Sequence, residues 1–317
     1  MIKAIAICGP TASGKTRLSI ELAKAISAEI ISCDSMQIYR DMNIGTAKAT
    51  EAERREIPHH LIDFLSPDES YSIERYRSDA LTAARDICAR GKIPLFVGGT
   101  GLYVDALLRG GQGGVPESST EYRDSILKDI KSEADVHALW ERLRECDPES
   151  AEKIHENNVR RVIRALEIYE KTGIPKSRLD EISKEGAKDI DILVICLDFH
   201  NRENLYERID ARVDLMIRDG LVDEARALYV KGVLNGGTAS QAIGYKELIP
   251  YLRGEGELSL AVELIKQSSR RYAKRQLTWF RHVKCEKIML DEALGAARGF
   301  DAVFTEALEV IKMKFKG

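Results

Sequence analysis

"GPTASGKT" at residues 9–16 directly follows the apolar run "IKAIAIC" at residues 2–8. The first segment matches G-x-x-x-x-G-K-[ST], a pattern in which glycines let backbone N–H groups close around phosphate oxygens at a helix N-terminus. The preceding run is typical of a buried strand, and helical periodicity follows over 16–26. This context predicts a phosphate-binding loop in an α/β fold. The pattern does not identify the group attached to the phosphate.

Three more apolar runs alternate with helical stretches along the chain. They occupy residues 29–34, 93–99 and 191–199, and a helical pattern over 72–91 separates the first two. Continuous β-branched runs suit strands that are buried on both faces of a parallel sheet. One further strand is predicted at 287–291. The sequence therefore predicts a doubly wound α/β core.

The strand pattern is interrupted in the middle of the chain. A Gly-rich, turn-forming segment occupies 109–120, and no strand signal appears from 121 to 185. Four apolar residues there share one helix face: Val136, Leu139, Trp140 and Leu143. We therefore predict a helical insertion domain at 117–188 between core segments 1–116 and 189–317.

The composition is that of an ordinary globular protein, with 44% hydrophobic and 31% charged residues. No apolar stretch approaches the roughly 20 residues that a membrane span requires. The first strand begins within two residues of Met1, which leaves no room for a signal peptide. The six cysteines form no C-x-x-C pair. We expect a cytoplasmic protein with free thiols and no membrane association.

One basic element stands out in a chain whose net charge is −3: residues 266–287 carry eight Lys or Arg against one acid. Its basic and aromatic residues are interleaved as Tyr272, Lys274, Arg275, Trp279, Phe280 and Arg281. Cations contact a nucleic-acid backbone, and aromatic rings stack on unpaired bases. The element therefore indicates RNA binding. The alternative is a helix with solvated charges and aromatic residues in the core.

Polar segments follow the second and third strands. "CDSMQIY" at 33–39 carries Asp34, and "VGGTGLY" at 97–103 carries Thr100. Ligands of open α/β sheets bind outside the carboxyl ends of the strands, so both side chains are expected beside the phosphate loop. Asp34 could instead cap a helix, form a turn or associate with Mg²⁺, and the paired glycines could form a simple turn.

Two helical segments each carry arginines one turn apart, Arg160 with Arg164 and Arg208 with Arg212. Guanidinium groups at this spacing can clamp a pyrophosphate. The alternative in each segment is an ion pair with nearby acids, such as Asp214. The adjacent histidines of "PHHLID" have no third ligand at zinc spacing, and we interpret them as structural.

The chain resembles the bacterial tRNA dimethylallyltransferases (isopentenyl-diphosphate:tRNA transferases) from residue 2 to about 290. The motifs that carry this resemblance are, in order, "GPTASGKT", "DSMQIY", "GTAK", "PHHLID", "GGTGLY", "RRVIRALE", "RIDARVDLM", "AIGYKE" and "RRYAKRQLTWFR". The resemblance implies a P-loop NTPase-like parallel-sheet core with a mobile helical insertion domain and a helical C-terminal region. It implies transfer of a dimethylallyl group from dimethylallyl diphosphate to N6 of the adenosine immediately 3′ of the anticodon, with Mg²⁺. We expect a monomer that binds the anticodon stem-loop.

The resemblance also assigns roles to the candidate residues. Asp34 would be the general base for the N6 proton, and Thr100 would hydrogen-bond at the diphosphate bridge. Lys15, with Mg²⁺ held through Thr16, would neutralise the leaving diphosphate. The diphosphate-binding set is Gly9, Pro10, Thr11, Ala12, Ser13, Gly14, Lys15, Thr16, Arg208 and Arg212. The tRNA-binding set is Asp34, Ser35, Met36, Gln37, Thr100, Arg123, Asn158, Val159, Arg160, Arg161, Val162, Arg164, Lys246, Lys274, Arg275, Trp279 and Arg281.

Two motifs depart from the usual pattern of the family. "TAKA" at 46–49 lacks the usual final Pro, so a looser turn is expected there, and "IHENN" at 154–158 replaces a common His-Pro-Asn. Neither includes a residue assigned to the chemistry.

Two other functions would use the same loop. A small-molecule or nucleotide kinase could use the Arg-rich helix at 160–164 as a phosphate-clamping lid, but it has no need for the basic-aromatic element. A nucleic-acid-dependent ATPase could use 191–199 as a Walker B strand ending at Asp198, but Phe199 follows where many such enzymes have an acid. Turnover of ATP distinguishes both from the transferase.

Overall fold

The computed structural model describes residues 1–109, 119–183, 189–293 and 295–315. Its strands are β1 (Ile2–Cys8), β2 (Ala28–Ser32), β3 (His59–His60), β4 (Ile93–Gly98), β5 (Ile190–Asp198) and β6 (Glu286–Met289). They form one sheet in the order β3-β2-β4-β1-β5-β6, and every neighbouring pair is parallel. The predicted α/β class with a parallel-sheet core is confirmed. Only the two-residue β3 had no strand prediction.

Helices make up most of the remaining structure. They are α1 (Lys15–Ile26), α2 (Glu51–Glu56), α3 (Ile73–Ala89), α4 (Gly101–Arg109), α5 (Thr120–Asp129), α6 (Glu133–Cys146), α7 (Pro148–Lys153), α8 (Val159–Thr172), α9 (Lys176–Ser183), α10 (Arg202–Arg218), α11 (Leu221–Val230), α12 (Ile249–Leu252), α13 (Leu258–Phe280) and α14 (Phe300–Lys314). Short 3₁₀ helices lie at Val233–Asn235, Ala239–Gln241 and Lys246–Leu248. None of the helices in the described ranges is both long and apolar enough to cross a membrane.

The chain forms two compact units. One comprises Met1–Tyr71, Tyr76–Val104 and Ile190–Gly317, and the other comprises Ser72–Arg75 and Asp105–Asp189. The predicted insertion has its boundaries at 116/117 and 188/189. Most of the Gly-rich segment at the first boundary (110–118), and the residues before the second (184–188), lie outside the described residues. The predicted domain division therefore stays a prediction.

The sheet unit is built on strands that are buried on both faces. Ile5, Ile7, Leu95, Ile195 and Leu197 are almost completely enclosed and belong to one hydrophobic cluster. This burial explains why the strands are continuous apolar runs. The pairing register places the last residue of β1 beside the last residue of β4, and the end of β2 one residue earlier on β4. The loops that follow these three strands therefore leave from one edge of the sheet.

The helical unit has its own hydrophobic core. Leu139 and Leu143, two of the four residues predicted to share a face of α6, are buried against Val162, Ile163 and Leu166 of α8. The start of α6 is fixed by a capping box, in which the Ser132 and Asp135 side chains each accept a backbone N–H of the other residue. This core and this capping box explain why a segment without strand signals folds as helices.

Candidate active site

The phosphate loop runs from the end of β1 into α1. Gly14 caps the helix at φ +82°, a left-handed conformation that favours glycine. A Cβ on Gly9 would come within 2.9 Å of the Leu197 carbonyl oxygen, so this position also favours glycine. The first N–H groups of α1 have no partner within the helix, and this end can therefore bind an anion.

Lys15 is held inside the loop. Its Nζ donates to the carbonyl oxygens of Gly9 at 3.0 Å and Pro10 at 2.6 Å. Burial, together with the positive charge of Arg212, lowers the pKa of Lys15 to about 8, although Asp34 opposes this shift. A bound anion would therefore stabilise the protonated form of Lys15.

The two arginines of α10 have different surroundings. Arg208 Nε donates to the Ala12 carbonyl oxygen at 3.0 Å and thus supports the phosphate loop. Arg212 is half-buried, and it makes no hydrogen bond or ion pair with any described residue. Burial lowers the pKa of Arg212, and the nearby Asp34 carboxylate partly offsets this. Asp214, the alternative partner suggested by the sequence, pairs with Lys266 at 2.8 Å.

Asp34 follows β2 and combines two of the predicted roles. Its Oδ1 accepts the backbone N–H of Met36 at 2.9 Å, so Asp34 does form a turn. It also lines the cavity that contains the phosphate loop, beside Lys15 and Arg212. The turn therefore fixes the carboxylate where it can contact a bound ligand.

Thr100 is tied to the loop after β2. Its Oγ1 accepts the backbone N–H of Ser35 at 3.0 Å, and its own N–H donates to the Cys33 carbonyl oxygen at 3.1 Å. A Cβ on Gly98 would lie only 2.2 Å from that carbonyl oxygen. Glycine at 98 therefore permits close backbone approach. The strand ends bring Thr100 to the segment that carries Asp34, as predicted from the topology. Asp34 lines the phosphate-loop cavity, whereas Thr100 is not among the residues that line it.

Gln37 braces the segment that contains the "GTAK" motif. Its Nε2 donates to the carbonyl oxygens of Thr46 and Ala47, each at 3.2 Å. Lys48 in the same motif is buried and donates to the Tyr39 carbonyl oxygen at 2.6 Å and to Asp63 at 2.7 Å. These contacts hold the turn in place although Pro is absent from this motif. The looser turn expected from the absence of Pro stays a prediction.

Glu224 of α11 is a positioning residue that sequence reasoning missed. Its carboxylate accepts the backbone N–H groups of Asn43, Ile44 and Gly45 at 2.9–3.1 Å and the Tyr245 hydroxyl at 2.6 Å. The Tyr245 ring leaves no room for a Cβ on Gly45, because that atom would lie 2.5 Å away. The "GTAK" and "AIGYKE" motifs thus contact each other and share one acceptor. The role of Glu224 follows from this contact between the two motifs, and neither motif indicates it in the sequence.

Two cavities meet beside these side chains. The first, of about 100 Å³, is lined by the phosphate loop, and the second, of about 240 Å³, has an apolar wall that includes Ile209, Val213, Met216 and Ile265. They share five lining residues, which are Thr11, Asp34, Thr46, Arg212 and Tyr272. An anion-binding cavity that continues into a partly apolar one fits a ligand with a diphosphate and a small hydrocarbon group.

The basic element lies at the end of α13 and just after it. Lys274, Arg275 and Arg281 are exposed, whereas Phe280 is buried. Trp279 is half-buried against Gly101, where a Cβ would come within 2.5 Å of the indole ring. The charges are thus accessible, while the aromatic residues contribute partly or wholly to the core. Lys246, another predicted tRNA contact, is exposed beside Glu247 and lines the larger cavity.

The predicted tRNA-binding residues of the helical unit differ in their exposure to solvent. Asn158 caps α8 without a side-chain hydrogen bond, Val159 and Arg123 are half-buried, and Arg160 and Arg161 are exposed.

Two other predicted contacts in that unit are engaged internally. Val162 is completely buried, backbone included, so it presents no surface to a ligand in this structure. Arg164 donates to Glu167 at 2.7 Å, and Lys171 donates to the same carboxylate at 2.8 Å. The predicted alternative of pairing with acids is therefore observed for Arg164.

The two histidines of "PHHLID" contact protein groups: His59 Nδ1 lies 2.7 Å from the Ile57 carbonyl oxygen, and His60 Nε2 lies 2.8 Å from Glu29. Across the described ranges, no three His, Cys, Asp or Glu side chains are grouped so as to hold a metal. Mg²⁺ is usually bound by one or two protein ligands together with substrate phosphates. The Thr16 hydroxyl and the Asp34 carboxylate line the smaller cavity and fit that requirement.

Comparison with known proteins identifies the family of the chain. The family model described as IPP transferase matches residues 37–283, and the model described as Isopentenyl transferase matches residues 2–63. The chain is 46% identical over 281 residues to a tRNA dimethylallyltransferase of Caldanaerobacter subterraneus, with 88% of this chain and 89% of the relative covered. It is 48% identical over 281 residues to one of Bacillus cereus, with 88% and 87% covered.

Solved structures show the same relationship. A tRNA delta(2)-isopentenylpyrophosphate transferase of Staphylococcus epidermidis matches with a TM-score of 0.70 and 41% identity, over 99% of this chain and 100% of the other. A eukaryotic dimethylallyltransferase acting on tRNA matches with a TM-score of 0.82 and 34% identity, over 99% and 79% of the two chains. The chain therefore belongs to the tRNA dimethylallyltransferase family, a family of prenyl-transferring enzymes.

Proposed function

We propose that this enzyme transfers a dimethylallyl group from dimethylallyl diphosphate to N6 of the adenosine immediately 3′ of the anticodon in tRNA, giving N6-isopentenyladenosine. The observation that carries the proposal is the pair of joined cavities. A phosphate loop and two cations line one end, a carboxylate lies at the junction, and an apolar wall lines the other end. The membership of the chain in the family supports the same reaction.

In this reaction the phosphate loop holds the diphosphate in place of a nucleotide. The N–H groups at the start of α1, the Lys15 ammonium and the Arg212 guanidinium provide the positive charge that a leaving diphosphate requires. Arg212 serves as the clamp because it faces both cavities and has no described partner. Arg208 holds the loop through Ala12 instead.

The Thr16 residue lines the smaller cavity, where its hydroxyl would hold Mg²⁺ together with diphosphate oxygens. When bound, the ion would supply further positive charge to the departing diphosphate.

Asp34 provides the base. The adenine N6 amine is a poor nucleophile because its lone pair is delocalised into the ring. As the bond from N6 to the allylic carbon forms, the bond from that carbon to the diphosphate oxygen breaks, and its electron pair leaves with the diphosphate. The N6 proton passes to Asp34, whose Oδ1 is already held by backbone N–H groups. Thr100 donates its hydroxyl proton in a hydrogen bond to the bridging oxygen.

The anticodon stem-loop is the proposed RNA partner. Lys274, Arg275 and Arg281 in the sheet unit, and Arg160 and Arg161 in the helical unit, offer exposed cations for its phosphates. Ser35 and Met36 line the larger cavity, where a flipped-out adenine would enter. A monomer acting in the cytoplasm is part of the same proposal.

A single-turnover assay with an anticodon stem-loop RNA tests both the reaction and the base. The wild type should add one dimethylallyl group, and Asp34→Asn should bind both substrates but react roughly 10²–10⁴-fold more slowly, the usual effect of losing a general base. Asp41→Asn is the matched control because Asp41 is exposed and pairs with Lys231. Absence of product with the wild type would contradict the function, and a near-normal rate in Asp34→Asn would remove Asp34 from the mechanism.

A further inference from the structure

We propose that Gln276 is a positioning residue that holds the phosphate loop and the Thr100 segment in fixed register. This inference rests on the proposed function, since it concerns how two parts of the same active site are aligned for prenyl transfer. Gln276 lies on α13, within the basic element at 266–287. The sequence analysis singled out only the cations and aromatic residues of that element.

A single side-chain amide bridges the two segments. Gln276 Oε1 accepts the backbone N–H of Thr11 at 2.9 Å, and Nε2 donates to the carbonyl oxygen of Gly99 at 3.0 Å. Thr11 belongs to the phosphate loop, and Gly99 immediately precedes Thr100. Both ends of the amide are therefore used, and Thr11, Gly99 and Gln276 all line the smaller cavity.

The surroundings leave little freedom for this bridge. Gln276 is only 5% exposed, so an unpaired amide group at this position would be costly. A Cβ on Gly99 would lie 2.1 Å from Gln276 Nε2 and 3.1 Å from the Gly9 carbonyl oxygen. Glycine at 99 thus allows the amide and the two backbone segments to meet directly.

The reaction explains why this register matters. The phosphate loop binds the diphosphate, while Thr100 hydrogen-bonds at the bridging oxygen where the bond breaks. A displacement of about 1 Å between such groups can cost about 10²-fold in rate. Gln276 uses its amide oxygen and one N–H on backbone atoms, and its side chain also interacts with the Tyr272 hydroxyl, which in turn interacts with Thr100. These contacts all join Gln276 to the residues around Thr100 and the loop, so we assign it to alignment and leave the chemistry to Thr100 and Asp34.

The first test replaces Gln276 by methionine, which has similar length and can make neither hydrogen bond. The Kd for inorganic pyrophosphate should stay within about threefold, because Lys15 still braces the loop through Gly9 and Pro10. Single-turnover prenyl transfer to the stem-loop RNA should fall roughly 10- to 100-fold. Gln267→Met is the matched control, since Gln267 is exposed on the same helix. An unchanged rate in Gln276→Met would overturn the inference.

The second test is a double-mutant cycle with Thr100→Ala. If Gln276 acts by aligning Thr100, Gln276→Met should slow the Thr100→Ala enzyme by less than about threefold. Equal slowing in both backgrounds would contradict the proposed alignment.

Gln276→Asn provides an independent variant if Gln276→Met does not fold. It keeps a neutral amide but is one methylene shorter, so it cannot bond to both Thr11 and Gly99, and transfer should fall while pyrophosphate binding is retained. A wild-type rate in Gln276→Asn would overturn the inference. If the wild type itself transferred no prenyl group, the proposed function would fail, whereas normal wild-type transfer with unaffected variants would overturn this inference alone.

Discussion

When dimethylallyl diphosphate binds, the Lys15 side chain should take up a proton. In the free protein, burial and the adjacent Arg212 charge lower the pKa of Lys15 to about 8 from its usual 10.5. The negative diphosphate stabilises the ammonium and should return the pKa of Lys15 to at least its usual value. Because the pKa is higher in the complex, binding is strongest below pH 8 and weakens as pH rises through that value.

The size of the effect follows from these two pKa values. At pH 9 about one tenth of the free Lys15 side chains are protonated, against nearly all in the complex, so binding should take up roughly 0.9 proton. At pH 7 the uptake should be roughly 0.1 proton. The Kd for dimethylallyl diphosphate should therefore be about tenfold higher at pH 9 than at pH 7.

Isothermal titration calorimetry in buffers with different ionisation enthalpies measures this uptake directly. Titrations without Mg²⁺ keep the metal from changing the local charge. Lys15→Met should show weak binding, no coupled uptake and a flat pH dependence. Arg212→Met should move the midpoint to higher pH, because the repelling charge is removed. A wild-type Kd that stays constant from pH 7 to 9 would refute the assignment of Lys15 to the diphosphate site.

Two further predictions concern the surfaces around this site. Replacing Arg275 and Arg281 by alanine should weaken tRNA binding. The slope of log K against log salt should fall by up to about 2, since each arginine would neutralise one phosphate. Arg55→Ala, at an exposed site on α2, is the control. An unchanged Kd and slope would show that these cations form only a solvated face. Glu224→Gln should lower the free energy of unfolding by about 1–3 kcal/mol, since the carboxylate accepts three backbone N–H groups and one hydroxyl. Urea denaturation measures this, and a change no larger than that of Glu255→Gln, at an exposed site after α12, would contradict the stabilising role of Glu224.

The sequence predicted the fold wherever a local pattern reflects burial. Strands β1, β2, β4 and β5 appear as apolar runs because most of their residues are buried, as is usual in a parallel sheet. β6 was predicted from a shorter run, of which Ile288 is buried. β3 is only two residues long, at the edge of the sheet, and so presents no recognisable pattern. The phosphate loop was predictable because the loop can fold around a phosphate only with glycines, Lys and Thr at this fixed spacing in the sequence.

Other parts of the candidate site depend on contacts between distant residues. Gln276 bonds to Thr11 across 265 positions, and Glu224 bonds to Ile44 across 180 positions. A glutamine or glutamate within a helical pattern carries no local signal of such a contact. Arg208 and Arg212 likewise share one spacing, and only the folded chain shows which supports the loop and which faces the cavity.

The central claim is that the phosphate loop serves prenyl transfer and not ATP turnover. Mass analysis of unmodified tRNA tests this most directly, after incubation with the protein, Mg²⁺ and either dimethylallyl diphosphate or ATP. The account predicts a gain of one dimethylallyl group on the adenosine 3′ of the anticodon in the first reaction, and no release of ADP in the second. Unmodified tRNA together with clear ATP turnover would contradict the account and favour a kinase or an ATPase.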